Sequence, residues 1–268
     1  MIFIAEPYRQ VFQTLGFRPE MIFTDPAIKP WRTLPDRENC TWDIQGRAGD
    51  IQSPAGDIQG TAGPIRLHVK RFPAIASSHA REEAEGYKLL QDRKIPTALV
   101  AAWGDLPDGR SFIAVEDLSG FTPADKLIKS SSSFDQLLAP TASLAAQLHN
   151  ASLHHRDLYL CHFLARVEKD RPPEIRLIDA ARVRKLPSIL TRRRWIIKDL
   201  SQFWYSTTEL PITDSQRTEW LSRYCTETKL ENMEPLKRAI QRKSDAIRAH
   251  DEKLRRRQPH RNISIPRD

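Results

Sequence analysis

The 268 residues are 40% hydrophobic and 28% charged, enough apolar mass to fill one two-lobed domain or two small ones. No apolar run reaches the roughly 18 residues of a membrane-spanning helix, and Cys40, Cys161 and Cys225 are too scattered for a disulfide framework or a metal motif, so a reducing compartment is expected. The net charge of +8 is concentrated in residues 182–198 (seven basic, no acidic) and 237–261 (ten basic, three acidic) on a net acidic body, which points to a localised anionic partner rather than to a uniformly basic nucleic-acid binder.

Residues 1–6 turn acidic too soon for a signal peptide. Residues 1–38 are punctuated by Pro7, Pro19, Pro26, Pro30 and Pro35. In them Phe3, Tyr8, Phe12, Leu15 and Phe17 fit one short amphipathic helix, and the segment stands as an N-terminal extension without an assigned role. Residues 40–44 read as a strand. A seven-residue repeat follows: Asp43-Ile44-Gln45, Asp50-Ile51-Gln52 and Asp57-Ile58-Gln59. Glycine and proline at this density exclude a helix, so the repeat predicts a duplicated loop between strands. Its glycines could bring backbone N–H groups to a phosphate, but no G-x-G-x-x-G is present, and repeat slippage in a tolerant loop competes with that reading.

Residues 65–72 alternate as a strand, with Ile65, Leu67 and Val69 on one face and Lys70 on the other. Residues 78–91 read as an acidic helix stopped by Pro96. A hairpin is expected from 99–103 and 111–115 around Leu106-Pro107-Asp108-Gly109, then a linker at 116–120. Beyond it the pattern turns helical, with a loop or helix start at 130–133. The expected helices are 141–153 (Leu144, Leu148 and Ala151 on one face), 194–206, 215–227 and 233–257. The order predicts an α+β fold with two lobes: a β-rich N-lobe at 39–117, an α-helical C-lobe at 118–268 and a cleft between them.

The stretch His154-His155-Arg156-Asp157-Leu158-Tyr159-Leu160-Cys161-His162-Phe163-Leu164 sets an aspartate beside an arginine just past a helix end. Twenty-two residues after Asp157, the apolar Leu177-Ile178 ends in Asp179. This is the layout of a kinase catalytic loop followed by a metal-binding aspartate, with His162 where a kinase carries asparagine. Phosphoryl transfer needs a cation on the nucleotide phosphates, an anchor for that cation, a carboxylate for the metal and an acceptor for the hydroxyl proton. Lys70 is the candidate cation and Glu83 its anchor, with Glu82 and Glu85 as alternatives. Asp179 is the candidate metal ligand and Asp157 the candidate base. Singly these residues say little, since a strand lysine or an acidic helix face is ordinarily just solvated. Imidazole nitrogen is a poor Mg²⁺ ligand, so His162 is expected to orient Asp157 or a phosphate oxygen.

Together with Leu67-His68-Val69-Lys70-Arg71, Arg81-Glu82-Glu83-Ala84, Leu177-Ile178-Asp179-Ala180-Ala181-Arg182 and Lys198-Asp199-Leu200, the motif resembles the lipopolysaccharide kinase (Kdo/WaaP) family over residues 60–210. The resemblance implies a protein-kinase-like fold, ATP and Mg²⁺. It also implies transfer of the γ-phosphate to a sugar hydroxyl of the lipid A–core region. The substrate is then an anionic lipid-linked sugar, and the expected place of action is cytoplasmic, with peripheral contact at the inner membrane face. Asp199 is expected to receive backbone N–H groups beneath the catalytic loop. Arg156, Arg182, Arg192, Arg193 and Arg194 are candidates for loop or substrate contacts, and Trp195 for core packing ahead of a lipid interface. The kinase Asp-Phe-Gly is replaced by Asp179-Ala180-Ala181, and no Ala-Pro-Glu element is present. Rival readings are a small-molecule or protein kinase of the same fold, and a silent nucleotide-binding adaptor on an anionic surface. Nucleic-acid binding through 237–261 lacks interleaved aromatics. Nothing in the sequence sets an oligomeric state.

Overall fold

The computed structural model describes residues 1–44, 65–76, 78–130 and 134–257. The repeat beyond Ile44, Ser131–Ser133 of the expected loop and the basic chain past Arg257 lie outside the described residues. Two units are distinguished, residues 1–88 with 98–119, and residues 89–97 with 120–268.

The first unit runs β1 (Ile2–Ile4), α1 (Arg9–Thr14), the helical turn α2 (Met21–Thr24), β2 (Ile28–Leu34), β3 (Arg37–Ile44), β4 (Ile65–Phe72), α3 (Ser78–Asp92), β5 (Val100–Asp105) and β6 (Ser111–Glu116). The strands form one antiparallel sheet in the order β1-β5-β6-β4-β3-β2. Alternation explains β4: Ile65, Leu67 and Val69 are buried while Arg66 is exposed and His68 and Lys70 are half-buried. Its central place gives Lys70 backbone neighbours on both sides, Asn39 and Ile113.

Residues 1–38 supply both edge strands, β1 and β2, and part of the core. Phe12 packs 4.7 Å from Phe17 and 5.7 Å from Trp42, ring centre to ring centre. Tyr8, Phe12, Ile22, Trp42, Leu67 and Phe112 belong to the same buried cluster. Each side chain so buried contributes about 2–3 kcal/mol. The single helix expected from Phe3 to Phe17 is not formed. Phe3 pairs with Trp103 in the sheet and is half exposed. Pro7 starts a separate 3₁₀ turn at Glu6–Tyr8, and only Arg9–Thr14 is α-helical.

The second unit runs β7 (Thr122–Pro123), α4 (Ala124–Ser130), α5 (Phe134–Asn150), β8 (Leu153–His154), β9 (Phe163–Arg166), β10 (Glu174–Leu177), β11 (Arg184–Lys185), α6 (Ile189–Thr207), α7 (Asp214–Thr228) and α8 (Met233–Arg257). β10-β9-β7 and β11-β8 form two small antiparallel sheets. Helix α5 begins earlier than its pattern suggested. It continues through Pro140 because Phe134, Leu137 and Leu138 before it and Ala142, Leu144 and Ala145 after it are all buried. It stops short of Leu153, since Ser152 takes the left-handed conformation (φ 58°) that a helix cannot continue through. Helix α6 likewise starts at Ile189, ahead of its first expected residue. Helix α7 is entered through a capping box, Thr213 and Gln216 exchanging hydrogen bonds. The helical core stacks Phe203 on Trp220 at 4.0 Å, and the Trp220 indole N–H donates to the Thr141 hydroxyl at 3.0 Å.

Candidate active site

In the first unit Lys70 and Glu83 meet. Lys70 Nζ lies 2.7 Å from Glu83 Oε1, and their side chains are 14% and 2% exposed. Of the three glutamates weighed from sequence, Glu83 faces inward from α3, whereas Glu82 is half-buried and Glu85 exposed. The pair fixes an ammonium group that would otherwise swing on four single bonds.

In the second unit the loop between β8 and β9 carries Asp157. The loop is bent by Arg156, whose φ of 71° is unusual for a residue with a side chain; such strain costs on the order of 1–3 kcal/mol and must be offset by surrounding contacts. Those contacts come from one face of α6. Asp199 accepts from the backbone N–H of His155 (2.6 Å) and Arg156 (2.8 Å). Gln202 donates to the Arg156 carbonyl (2.8 Å) and accepts from Leu158 N–H (3.2 Å). The Ser206 hydroxyl accepts from Leu160 N–H at 2.9 Å. Three residues spaced by three and four along a helix thus hold backbone groups of four loop residues, His155, Arg156, Leu158 and Leu160, in place. Asp199 is fully buried. Burial opposes its charge, but hydrogen bonds from His149 and the loop, with the nearby histidines, outweigh it and hold the carboxyl below the usual range. His149 Nε2 lies 3.3 Å from it, and His149 Nδ1 lies 2.8 Å from the Tyr224 hydroxyl.

Arg182 Nη1 donates to both Asp157 oxygens, at 3.0 and 3.2 Å. Asp157 titrates above its ordinary value. Burial raises it, Arg182 lowers it and the Asp179 carboxylate raises it. A raised pKa makes a carboxylate a better proton acceptor. Asp179 follows β10 in a left-handed conformation, φ 61° and ψ 59°, which aspartate tolerates better than bulkier residues. Its side chain is 32% exposed.

His162 joins the two aspartates' loops. Its Nδ1 lies 2.7 Å from the Asp157 carbonyl, which can only accept, so Nδ1 carries a proton. Its Nε2 faces Asp179 Oδ2 at 3.7 Å. Burial opposes charge on this ring, but Cys161, Asp179 and the Asp157 carbonyl outweigh it and raise its pKa to about 10. The Ile178 N–H donates to the His162 carbonyl at 3.1 Å, and His155 Nε2 lies 3.1 Å from the Ile178 carbonyl, a second tie between the loops. Burial depresses His155 to about 4, so it is neutral and donates from Nε2.

The remaining candidates divide. Arg156 lies over the Trp195 ring at 5.0 Å, with Lys198 at 5.5 Å and the tilted His154 ring 4.8 Å away, so Trp195 is covered by its own neighbours. Arg192 donates to the His149 carbonyl and the Ser152 hydroxyl, tying α6 to the end of α5. Arg193 and Arg194 are exposed. Gln202 and Ser206 were not singled out from sequence. Their signal was present as polar residues on the buried face of α6, in register with Asp199.

Among the described residues no group of three or more His, Cys, Asp or Glu side chains is gathered to hold a metal. Magnesium asks for less, because it keeps waters and phosphate oxygens and takes one or two protein carboxylates. Asp179, a partly exposed oxygen donor at a strand end, fits that demand.

Comparison with known proteins agrees with this chemistry. A lipopolysaccharide core heptose(I) kinase WaaP of Pseudomonas aeruginosa PAO1 is 25% identical over 82% of this chain and 85% of its own. The protein of the same name from Escherichia coli K12 is 30% identical over 41% of this chain and 44% of its own. A solved structure, WaaP in complex with acyl carrier protein, superimposes with a TM-score of 0.65 at 20% identity, over 92% of this chain and 98% of that one, which fixes the fold as kinase-like. The model of the lipopolysaccharide kinase (Kdo/WaaP) family matches residues 65–224. That span is more than half of the chain, and the protein belongs to this family of phosphotransferases.

Proposed function

We propose that the protein transfers the γ-phosphate of ATP to a hydroxyl of a lipopolysaccharide core sugar. The observation that carries the reading is the Asp157 loop. Its carboxylate has a raised pKa, it is held by Arg182, and its backbone is fixed by Asp199, Gln202 and Ser206.

In this reading Asp157 accepts the proton of the sugar hydroxyl as the oxygen attacks phosphorus. Lys70, fixed by Glu83, binds nucleotide phosphates. Asp179 holds Mg²⁺, which when bound neutralises charge on the phosphate oxygens. His162 positions both loops: its Nδ1 is committed to the Asp157 carbonyl and its Nε2 is directed at Asp179. It is a positioning residue, and a direct nitrogen–metal bond in a Mn²⁺–nucleotide complex, read by anomalous scattering, would sink that role. The acceptor is an anionic lipid-linked sugar, reached by peripheral contact with the cytoplasmic face of the inner membrane.

Transfer of radiolabelled γ-phosphate into a glycolipid extract tests the whole reading. Label is expected in a core oligosaccharide fraction with the native protein. It is expected to fall by about a thousandfold or more in Asp157→Asn, with nucleotide binding retained. Label in protein or small-molecule fractions but none in glycolipid would reject the acceptor, and turnover that survives Asp157→Asn would reject the base.

A further inference from the structure

Most arginines of this chain are engaged. Arg66, Arg81, Arg110, Arg166, Arg182 and Arg217, for example, each meet a carboxylate. Others are not, among them Arg193 and Arg194 on α6 and Arg238 and Arg242 on α8, which have no hydrogen bond or ion pair among the described residues. All four are exposed, and all four line one groove of about 480 Å³ between these helices. Its floor is apolar, made by Ile197, Pro235 and Ala239. Sharing Arg193 and Pro235, a second hollow continues it toward Leu230, which is 42% exposed. Neighbouring Lys237 is turned away to the Thr218 hydroxyl.

Local physics does not favour this placement. Arg193 and Arg194 are adjacent like charges, and Arg238 and Arg242 are like charges four residues apart. Four arginines line one groove, and Glu231 is the one acidic side chain among the residues lining the two hollows, so the excess positive charge favours an anionic partner.

We propose that this trough is the surface by which the protein docks on an anionic lipid membrane, the arginines taking lipid phosphates while the floor and Leu230 meet the acyl boundary. The apolar floor favours lipid over nucleic acid, because no aromatic ring lines the trough to stack on bases. Each basic residue at an anionic surface strengthens binding about fivefold. The inference rests on the lipid-linked acceptor only in choosing a membrane among polyanions. Vesicle binding is read without phosphoryl transfer, so the two readings fail separately.

The test is flotation of the full chain with phosphatidylcholine vesicles, with and without phosphatidylglycerol. Binding is expected only with the anionic lipid. The variant Arg193→Ala/Arg194→Ala/Arg238→Ala/Arg242→Ala should lose about tenfold or more, and the pair Arg238→Glu/Arg242→Glu, an equal change of charge at two sites, should lose binding too. A charge-matched control at exposed sites of other elements, Arg18→Ala/Lys29→Ala/Arg93→Ala/Lys126→Ala, should lose about twofold at most. Equal loss in the control, retention in the groove variants, or no binding by the native protein overturns the proposal. So does saturation of the four arginines by a short nucleic-acid duplex or an acidic carrier protein while vesicles are ignored.

Discussion

Asp157 is balanced between opposing neighbours, and that balance can be moved one residue at a time. Burial and Asp179 raise its pKa, and Arg182 is the largest of three neighbours that lower it, with His162 and Lys198. Removing the guanidinium in Arg182→Ala takes away the largest lowering contribution, so Asp157 titrates higher. In the proposed role as base Asp157 must be unprotonated to act, and the acid limb of the kcat/KM profile is therefore expected to shift to higher pH. A limb that stays in place, or shifts to lower pH, removes Arg182 from control of the base. The Lys70–Glu83 pair offers a second substitution. Glu83→Ala takes the carboxylate from a lysine that is only 14% exposed. Breaking such a buried pair costs about 3–5 kcal/mol. A lower thermal midpoint and weaker binding of a fluorescent ATP analogue are expected, with Glu82→Ala and Glu85→Ala near native in both. Equal weakening in all three variants would mean that the acidic helix acts as a diffuse charge.

Helix α6 converts a strained loop into a fixed one. Its polar face carries Asp199, Gln202 and Ser206 at loop N–H and C=O groups that have left regular structure. Gln202→Ala strands the buried Leu158 N–H and frees the Arg156 carbonyl, at about 1–3 kcal/mol. It should lower kcat while leaving the KM for ATP near native, because the base is displaced and Lys70 is untouched. A rise in KM with unchanged kcat would show that the ladder serves binding instead. The same helix shows what the sequence discloses. Asp199 was expected beneath the loop from its motif, and strand β4 with Lys70 was visible from alternation over eight residues. Gln202 and Ser206 went unnoticed because their residue types are ordinary on a helix surface. Only the knowledge of which face is covered gives them meaning. The N-terminal segment was harder still: prolines conceal its division into strand, 3₁₀ turn and helix, and its edge strands pair with β5 and β3, the former about a hundred residues away.

At the scale of the whole molecule, the family places kinase chemistry on a chain whose basic charge is gathered late in sequence, on α6 and α8. The second unit also buries several ionisable groups, which ties its stability to pH. Burial depresses His154 to about 4, and His155 to about 4 as well; their relative exposures are 3% and 0%. Both are neutral in the fold. In the unfolded chain they take up protons below about 6.5. Stability from this source is fully present above that pH and is lost as pH falls from about 6.5 toward 4, since only the unfolded state binds the protons. Asp199 acts in the same direction at lower pH, because its depressed carboxyl resists protonation longer than the unfolded one does. The urea midpoint should therefore fall as pH drops below about 6.5, at a slope of up to about 1.4 kcal/mol per pH unit for each histidine, until the raised carboxyls of Asp157 and Asp251 take up protons in the fold and oppose it. His154→Gln removes one titrating group and should flatten the slope in that window, at whatever stability the variant starts from. A native midpoint that is constant from neutral pH down to about 5, or a His154→Gln slope as steep as the native one, would mean that these rings do not control the acid limit of the fold.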